Sequence, residues 1–161
     1  MISAIYDSPV GPLTLASNGE ALTQVEFENP RHPLPAYPPG SDKVLDTARR
    51  ELDAYFAGKL RAFKVRVAPQ GTAFQQKVWA ALQTIPYGAT RTYAQQALAI
   101  GAPKATRAVG AANGRNPVSI IIPCHRVIGA NGSLTGFGGG LERKQILLEL
   151  EQGGVLLARA S

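Results

Sequence analysis

Tyr93-Ala94-Gln95-Gln96-Ala97-Leu98-Ala99-Ile100-Gly101-Ala102-Pro103-Lys104-Ala105-Thr106-Arg107-Ala108-Val109-Gly110-Ala111-Ala112 reads as two short helices around a tight turn. The first follows Thr90-Arg91-Thr92 and runs through Ile100. Gly101 turns the chain, and Pro103 suits a first helical position, where a missing N–H is no loss, so a second helix is predicted from Pro103 to about Ala112. This is the pattern of a helix-turn-helix. Many helical hairpins bind nothing, so composition has to say what this one serves. Ala105, Ala108 and Ala112 lie on adjacent turns, with Thr106 and the long basic Arg107 among them. A reader of specific bases in the major groove needs several Arg, Asn or Gln side chains. Small residues instead permit close backbone approach, which suits the minor groove. The helix is therefore expected to bind DNA with little sequence readout. The competing reading turns the alanines toward the core, and it is the one adopted for Val109 and Ala112.

Upstream, Thr72 is a plausible cap for a helix whose apolar stripe is Phe74, Val78, Trp79, Ala81, Leu82 and Ile85, ended by Pro86-Tyr87-Gly88. Trp79 reads as a core anchor. A boundary falls near Pro69-Gln70-Gly71, giving domains 1–70 and 71–161. In the first, residues 1–28 read as a β-hairpin about Ser8-Pro9-Val10-Gly11-Pro12, with Ala21 to Phe27 alternating like a strand. Asn29 to Ser41 holds five prolines and reads as an irregular connector. Ser41 or Asp42 can cap a helix to about Ala57, its stripe being Val44, Leu45, Ala48, Leu52, Tyr55 and Phe56, and Gly58 stops it. Phe63 to Val67 reads as a further strand.

Downstream lies Ile120-Ile121-Ile122-Pro123-Cys124-His125-Arg126-Val127-Ile128, read as a buried strand, a proline and a thiol beside two nitrogen bases. Cys124 is the only cysteine, and His125 is one of two histidines, the other being His32. A lone cysteine is commonly a small buried hydrophobe. His and Arg are poor company for an inert thiol, however. Cationic neighbours lower a thiol pKa, and a base within reach can take its proton. Cys124 is therefore read as a nucleophile. Because neighbours on a strand face opposite ways, His125 can serve Cys124 only if the chain turns there or a water intervenes.

Charge and composition limit what the nucleophile serves. The net charge is +6. Residues 1–70 carry eight basic and eight acidic side chains, whereas 71–161 carry nine and three, so the excess lies wholly in the second half. No acid occurs between Asp53 and Glu142, a span holding Lys59, Arg61, Lys64, Arg66, Lys77, Arg91, Lys104, Arg107, Arg115 and Arg126. So long a one-signed stretch reads as a phosphate-binding surface. One cysteine excludes an internal disulfide, and with two histidines it makes a zinc site improbable, so neither metal nor cofactor is expected. The N-terminus has no basic n-region or apolar h-region, and no apolar run is long enough to span a membrane. A cytoplasmic, reducing location is expected.

From Phe74 to Gly153 the sequence resembles the O6-alkylguanine-DNA alkyltransferases, also called methylated-DNA–protein-cysteine methyltransferases. The resemblance is carried by Ile85-Pro86-Tyr87-Gly88, Thr92-Tyr93-Ala94, Arg107-Ala108-Val109-Gly110, Asn116-Pro117, Ile122-Pro123-Cys124-His125-Arg126-Val127-Ile128 and Thr135-Gly136-Phe137-Gly138-Gly139. Ser8-Pro9-Val10-Gly11-Pro12-Leu13 and Tyr55-Phe56-Ala57-Gly58 extend it more loosely into the first half. It implies an α/β ribonuclease-H-like N-terminal domain and a mainly α, winged-helix-like C-terminal domain with a helix-turn-helix. It implies flipping of an O6-alkylguanine, or an O4-alkylthymine, out of double-stranded DNA. The alkyl group would pass once and irreversibly to Cys124. Residue by residue, His125 would relay the thiol proton through a water and Glu151 would orient His125. Asn116 would hold the turn before the cysteine loop. Tyr93, Val127, Phe137 and Gly138 would meet the flipped base. Arg107, with Ala105, Thr106 and Ala108, would face the duplex, Arg107 filling the gap in the stack. Phe137 stands where the family often has tyrosine. A monomer without membrane association is expected. Two rivals are a damage sensor, which in related proteins lacks the cysteine, and a cysteine hydrolase, which would need an oxyanion hole.

Overall fold

In the computed structural model the described residues are 1–132, 134 and 140–153. They divide into two compact units, Met1–Gln70 with Pro117–Ile121, and Gly71–Asn116 with the residues from Ile122 onward. The chain thus leaves the second unit for five residues just before the cysteine, an excursion that a single boundary near residue 70 does not anticipate.

The first unit is a three-stranded antiparallel sheet with one helix. Strands β1 (Ile2–Ser8), β2 (Gly11–Ser17) and β3 (Leu22–Phe27) lie in sequence order, so the expected hairpin is the first half of a meander. Leu13, Leu15, Leu22 and Val25 are fully buried, and helix α1 (Lys43–Phe56) covers the sheet with Leu45, Ala48, Leu52 and Tyr55. Full burial of side chains of this size stabilises by about 1.5–3 kcal/mol each. Asp42 caps α1 by accepting from the Leu45 N–H, and its other oxygen accepts from the Ser17 hydroxyl, so one carboxylate ties helix to sheet. Phe63 to Val67 is not a strand. The Glu51 carboxylate takes the N–H groups of Lys64 and Val65, and only Val67 bridges to Leu22. The segment Pro117–Ile121 attaches beside β3, through Val25 N–H to Pro117 carbonyl and Ser119 N–H to Val25 carbonyl. Ile120 to Ile122 is buried as expected but is a turn, with Ile120 in the left-handed region at φ 71. A β-branched residue rarely adopts that conformation.

The second unit is mainly helical. Helix α2 (Ala73–Leu82) starts at a capping box between Thr72 and Gln75. Trp79 is buried, and its Nε1–H donates to the Ala112 carbonyl at 2.9 Å. A Cβ on Gly71 would stand 2.4 Å from the Trp79 ring, so the residue before the cap has to be glycine. Strand β4 (Arg91–Thr92) leads into helix α3 (Tyr93–Ala99), which has a second capping box between Thr92 and Gln95. Gln96 is fully buried; it donates to the Val78 carbonyl and accepts from Arg91, fastening α3 to α2. Gly101 turns the chain at φ 74. Helix α4 (Thr106–Gly114) begins three residues later than expected, because Ala102 to Ala105 form a turn closed by the Ala105 N–H on the Ala102 carbonyl. A 3-10 turn (Cys124–Arg126) and strand β5 (Val127–Ile128) follow, with β5 parallel to β4, and helix α5 (Leu141–Glu151) closes the described chain. No helix among the described residues is long and apolar enough to cross a membrane.

Candidate active site

Cys124 opens the 3-10 turn and is 3% exposed. The turn supplies what a strand could not, since it brings consecutive side chains into one buried cluster. Burial pushes the thiol up to about 11, against a hydrogen bond from Asn116 and the nearby charge of Lys144. Cationic neighbours therefore do not make a resting thiolate here, because desolvation outweighs them. A protonated thiol at neutral pH needs a base.

His125 is its neighbour in the turn. It is fully buried, and its Nε2 lies 2.6 Å from Glu151 Oε2. Burial alone would raise the Glu151 carboxyl, but His125 and Arg126 bring it down to about 2. An ionised carboxylate only accepts, so Nε2 carries a hydrogen, and the lone pair of the imidazole's neutral form falls on Nδ1. Arg126 completes the cluster, donating from Nε to Glu151 Oε1 at 2.7 Å and from Nη2 to Oε2 at 3.1 Å. Its Nη1 donates to the Ile85 carbonyl at 2.7 Å, and the Tyr87 ring lies 5.8 Å from the guanidinium. A Cβ on Gly88 would approach the Glu151 carbonyl to 3.2 Å. Ile85-Pro86-Tyr87-Gly88 thus lies beyond the end of α2 at Leu82, and it is the saddle in which the Arg126–Glu151 pair sits.

Two asparagines at the end of α4 hold the cysteine loop. Asn116 Nδ2 donates to the Ile122 carbonyl at 2.7 Å, and Asn113 Nδ2 donates to the Cys124 carbonyl at 3.2 Å. Lys144 of α5 is fully buried, its Nζ 5.8 Å from the centre of the Tyr93 ring. Burial lowers its pKa to about 8, and the charge of Cys124 opposes that shift. Tyr93, at the start of α3, is half-buried beside Gly110, and Val127 is buried in β5. On α4, Thr106, Arg107 and Ala108 are exposed and Ala105 is half-buried, whereas Val109 and Ala112 point into the core. Phe137 and Gly138 lie outside the described residues.

Cys124, His125 and Glu151 are thus brought together with Asn116, while Arg107 and its neighbours lie apart on an open helix face. Sequence reasoning missed the structural part of Arg126, and it missed Lys144 and Asn113 altogether. Lys144 had a signal. With Leu147, Leu148 and Glu151 it forms one face of α5 at helical spacing, so a lysine shared the inward stripe.

The two units define a class: an α/β domain joined to a helix-turn-helix domain that carries a buried thiol next to a buried histidine. Residues 1–69 match the ribonuclease-like domain of 6-O-methylguanine DNA methyltransferase, and residues 73–153 match its DNA binding domain. The chain belongs to the 6-O-methylguanine DNA methyltransferase family. It is 52% identical over 153 residues to a methylated-DNA–protein-cysteine methyltransferase of Methanosarcina acetivorans, covering 94% of this chain and 98% of that one. To the protein of the same description from Mycobacterium tuberculosis H37Rv it is 54% identical over 147 residues, covering 91% and 89%. The crystal structure of Mycobacterium tuberculosis OGT in complex with DNA superimposes with a TM-score of 0.90 at 51% identity, covering 97% and 96% of the two chains. The first unit is accordingly the ribonuclease-H-like domain and the second the winged-helix-like, DNA-binding one.

Proposed function

We propose that this protein repairs DNA by moving the alkyl group of O6-alkylguanine onto Cys124, once per molecule. The observation that carries this reading is the buried contact of His125 Nε2 with Glu151 Oε2, beside a thiol that burial keeps protonated. The base acts when the substrate is seated. The thiol proton passes to His125 Nδ1, and Glu151 stabilises the resulting imidazolium. The sulfur pair attacks the alkyl carbon, and the carbon–oxygen bond breaks with its pair leaving on the purine. The proton given up by the thiol balances that charge, so the products are guanine and a thioether. A thioether has no good leaving group, and the chain has no second thiol to regenerate Cys124.

The remaining roles extend the family resemblance to residues of the second unit. Asn116 steadies the loop that aims the sulfur. The flipped base is assigned to Tyr93 and Val127 and, by the family resemblance alone, to Phe137 and Gly138, which lie outside the described residues. The exposed Thr106, Arg107 and Ala108, with Ala105, meet the duplex, and Arg107 fills the space of the extruded nucleotide. Small side chains there suit close backbone approach rather than base readout. The protein works as a monomer in the cytoplasm, where reducing conditions keep the single thiol available.

Intact mass after exposure to duplex DNA containing O6-methylguanine tests the proposal. One methyl group should appear on Cys124, with no turnover beyond one equivalent. Cys124→Ala should lose transfer entirely and retain DNA binding. Repeated turnover by one molecule, or methylation elsewhere, refutes it.

A further inference from the structure

Asn113 takes no part in the reaction as described above, yet it is a buried amide in the last turn of α4, 2% exposed. Its orientation is determined, because the Cys124 carbonyl only accepts and must face Nδ2. Oδ1 therefore points away from that bond, and it is buried without a hydrogen-bond partner. Among the described residues one other buried side-chain atom shares that condition, His125 Nδ1. With Nε2–H engaged by Glu151, Nδ1 of the neutral ring is likewise an acceptor. Both orphaned acceptors belong to groups that meet at Cys124, one through a hydrogen bond and the other through the peptide bond. Buried acceptors are normally satisfied, and a single water has two hydrogens to donate as well as lone pairs to accept with.

We propose that Asn113 is a positioning residue for alkyl transfer: Nδ2 fixes the Cys124 main chain, and Oδ1 shares with His125 Nδ1 the water through which the thiol proton travels. This inference rests on Cys124 being the alkyl acceptor. The proton balance is closed. The thiol donates to the water oxygen, and the water gives one of its own protons to Nδ1. Its other O–H stays on Asn113 Oδ1, and it emerges as water. Asn113 itself neither gains nor loses a proton. The titratable and charged groups around the thiol are His125 and Arg126 of its own turn and Lys144 and Glu151 of α5, with the neutral Asn116 just beyond α4. None of these changes when Asn113 is replaced, so a pH profile reports on the relay.

The test uses the full chain and free O6-benzylguanine, which needs no base flipping. Benzyl transfer to Cys124 is followed by intact mass from pH 6 to 9.5, beside thermal unfolding. The wild-type rate should reach a plateau within this range. Asn113→Leu, similar in volume and without polar atoms, should be slower at pH 7 by at least about tenfold, a part of the roughly 10²–10⁴-fold that general-base assistance supplies. Its log rate should climb by about one unit per pH unit, because only spontaneously ionised thiol then reacts. Asn113→Ser, which restores an acceptor, should recover the plateau. If Asn113→Leu does not fold, Asn113→Ala, which overfills nothing, carries the same comparison. A variant that keeps the wild-type profile overturns the inference. So does a uniform loss at every pH with a lowered melting temperature, since that marks packing alone. Wild-type protein that takes no benzyl group overturns the alkyl-transfer reading itself, and the inference with it.

Discussion

The cysteine cluster and the outer face of α4 belong to one unit and are built in opposite ways. Around Cys124, polar and charged groups are buried and multiply bonded: Glu151 serves His125 and Arg126 together, and Arg126 reaches back to the Ile85 carbonyl. On α4, the exposed Thr106, Arg107 and Ala108 stand open, and the helix start has no side-chain cap. Chemistry on a desolvated thiol demands fixed partners, because an unpaired buried charge is costly. Binding a polyanion of any sequence demands charge and access, which exposed side chains provide at little cost in stability.

Breaking the buried side of this contrast should have the largest effect. Glu151→Ala leaves Arg126 and His125 buried without their counter-charge. Removal of one partner from such a pair costs about 3–5 kcal/mol. Transfer should slow by about 10²–10⁴-fold on duplex and on free O6-benzylguanine alike, the range attributed to general acid–base assistance. Urea unfolding and single-turnover rates measure the two losses, and a variant of wild-type stability would mean that the network is ornamental.

Arg107→Ala probes the open side. Unstacking a base takes on the order of a few kcal/mol, part of which a filling side chain offsets. Repair of duplex substrate should therefore slow by roughly 10- to 30-fold, on the basis that 1.4 kcal/mol is a factor of ten. The rate on free O6-benzylguanine should not move. Equal losses on both substrates would reassign Arg107 to support of the fold.

The pH dependence of stability sharpens the same comparison. Glu151 is held at about 2, below the ordinary 4.5, so its contribution is complete above about 4.5 and is lost as the pH falls toward 2. Cys124 is raised from 9.0 to about 11, so its contribution is complete below about 9 and is lost as the pH rises through 11. Melting temperatures across both windows should fall in those directions. Glu151→Gln should flatten the acid limb, and Cys124→Ala the alkaline one. An acid limb unchanged in Glu151→Gln would place the responsible carboxylate elsewhere.

The smallest effect belongs to the open face at equilibrium. If about four phosphates are neutralised, log affinity for undamaged duplex should fall against log salt with a slope of about −3.6, and Arg107→Ala should make that slope shallower by about one. Filter binding between 50 and 200 mM salt, as orders of magnitude, spans enough range to see it. A salt-independent affinity would remove α4 and its basic neighbours from the DNA surface.

Much of this protein is written in local sequence. The cap at Thr72, the apolar stripes of α1 and α2, the glycine turn at Gly101 and the acid-free basic span all follow from spacing and composition, as does the choice of Cys124 as nucleophile. These features rest on interactions within a few residues, or on a residue type with few innocent uses. What required the tertiary structure is long-range. Phe63 to Val67 looked like a strand because its alternation is real, but Glu51, distant in sequence, captured its amides. Ile120 to Ile122 looked like one too, and only packing makes the left-handed turn at Ile120 tolerable. The start of α4 slipped to Thr106 because Pro103 favours a turn as readily as a first helical position. The thiol's resting state inverted the expectation, since neighbouring charges are visible in sequence while desolvation is visible only in a packed core. The parts that Arg126, Lys144 and Asn113 play depend on contacts across 11 to 51 positions of chain, as in Asn113 with Cys124 and Lys144 with Tyr93. The sequence by itself therefore determined which residue reacts and what kind of partner the second half meets, because both are properties of residue type and charge. Only the tertiary structure decided how the reacting residue is held and kept protonated, because those depend on burial and on groups that folding brings together.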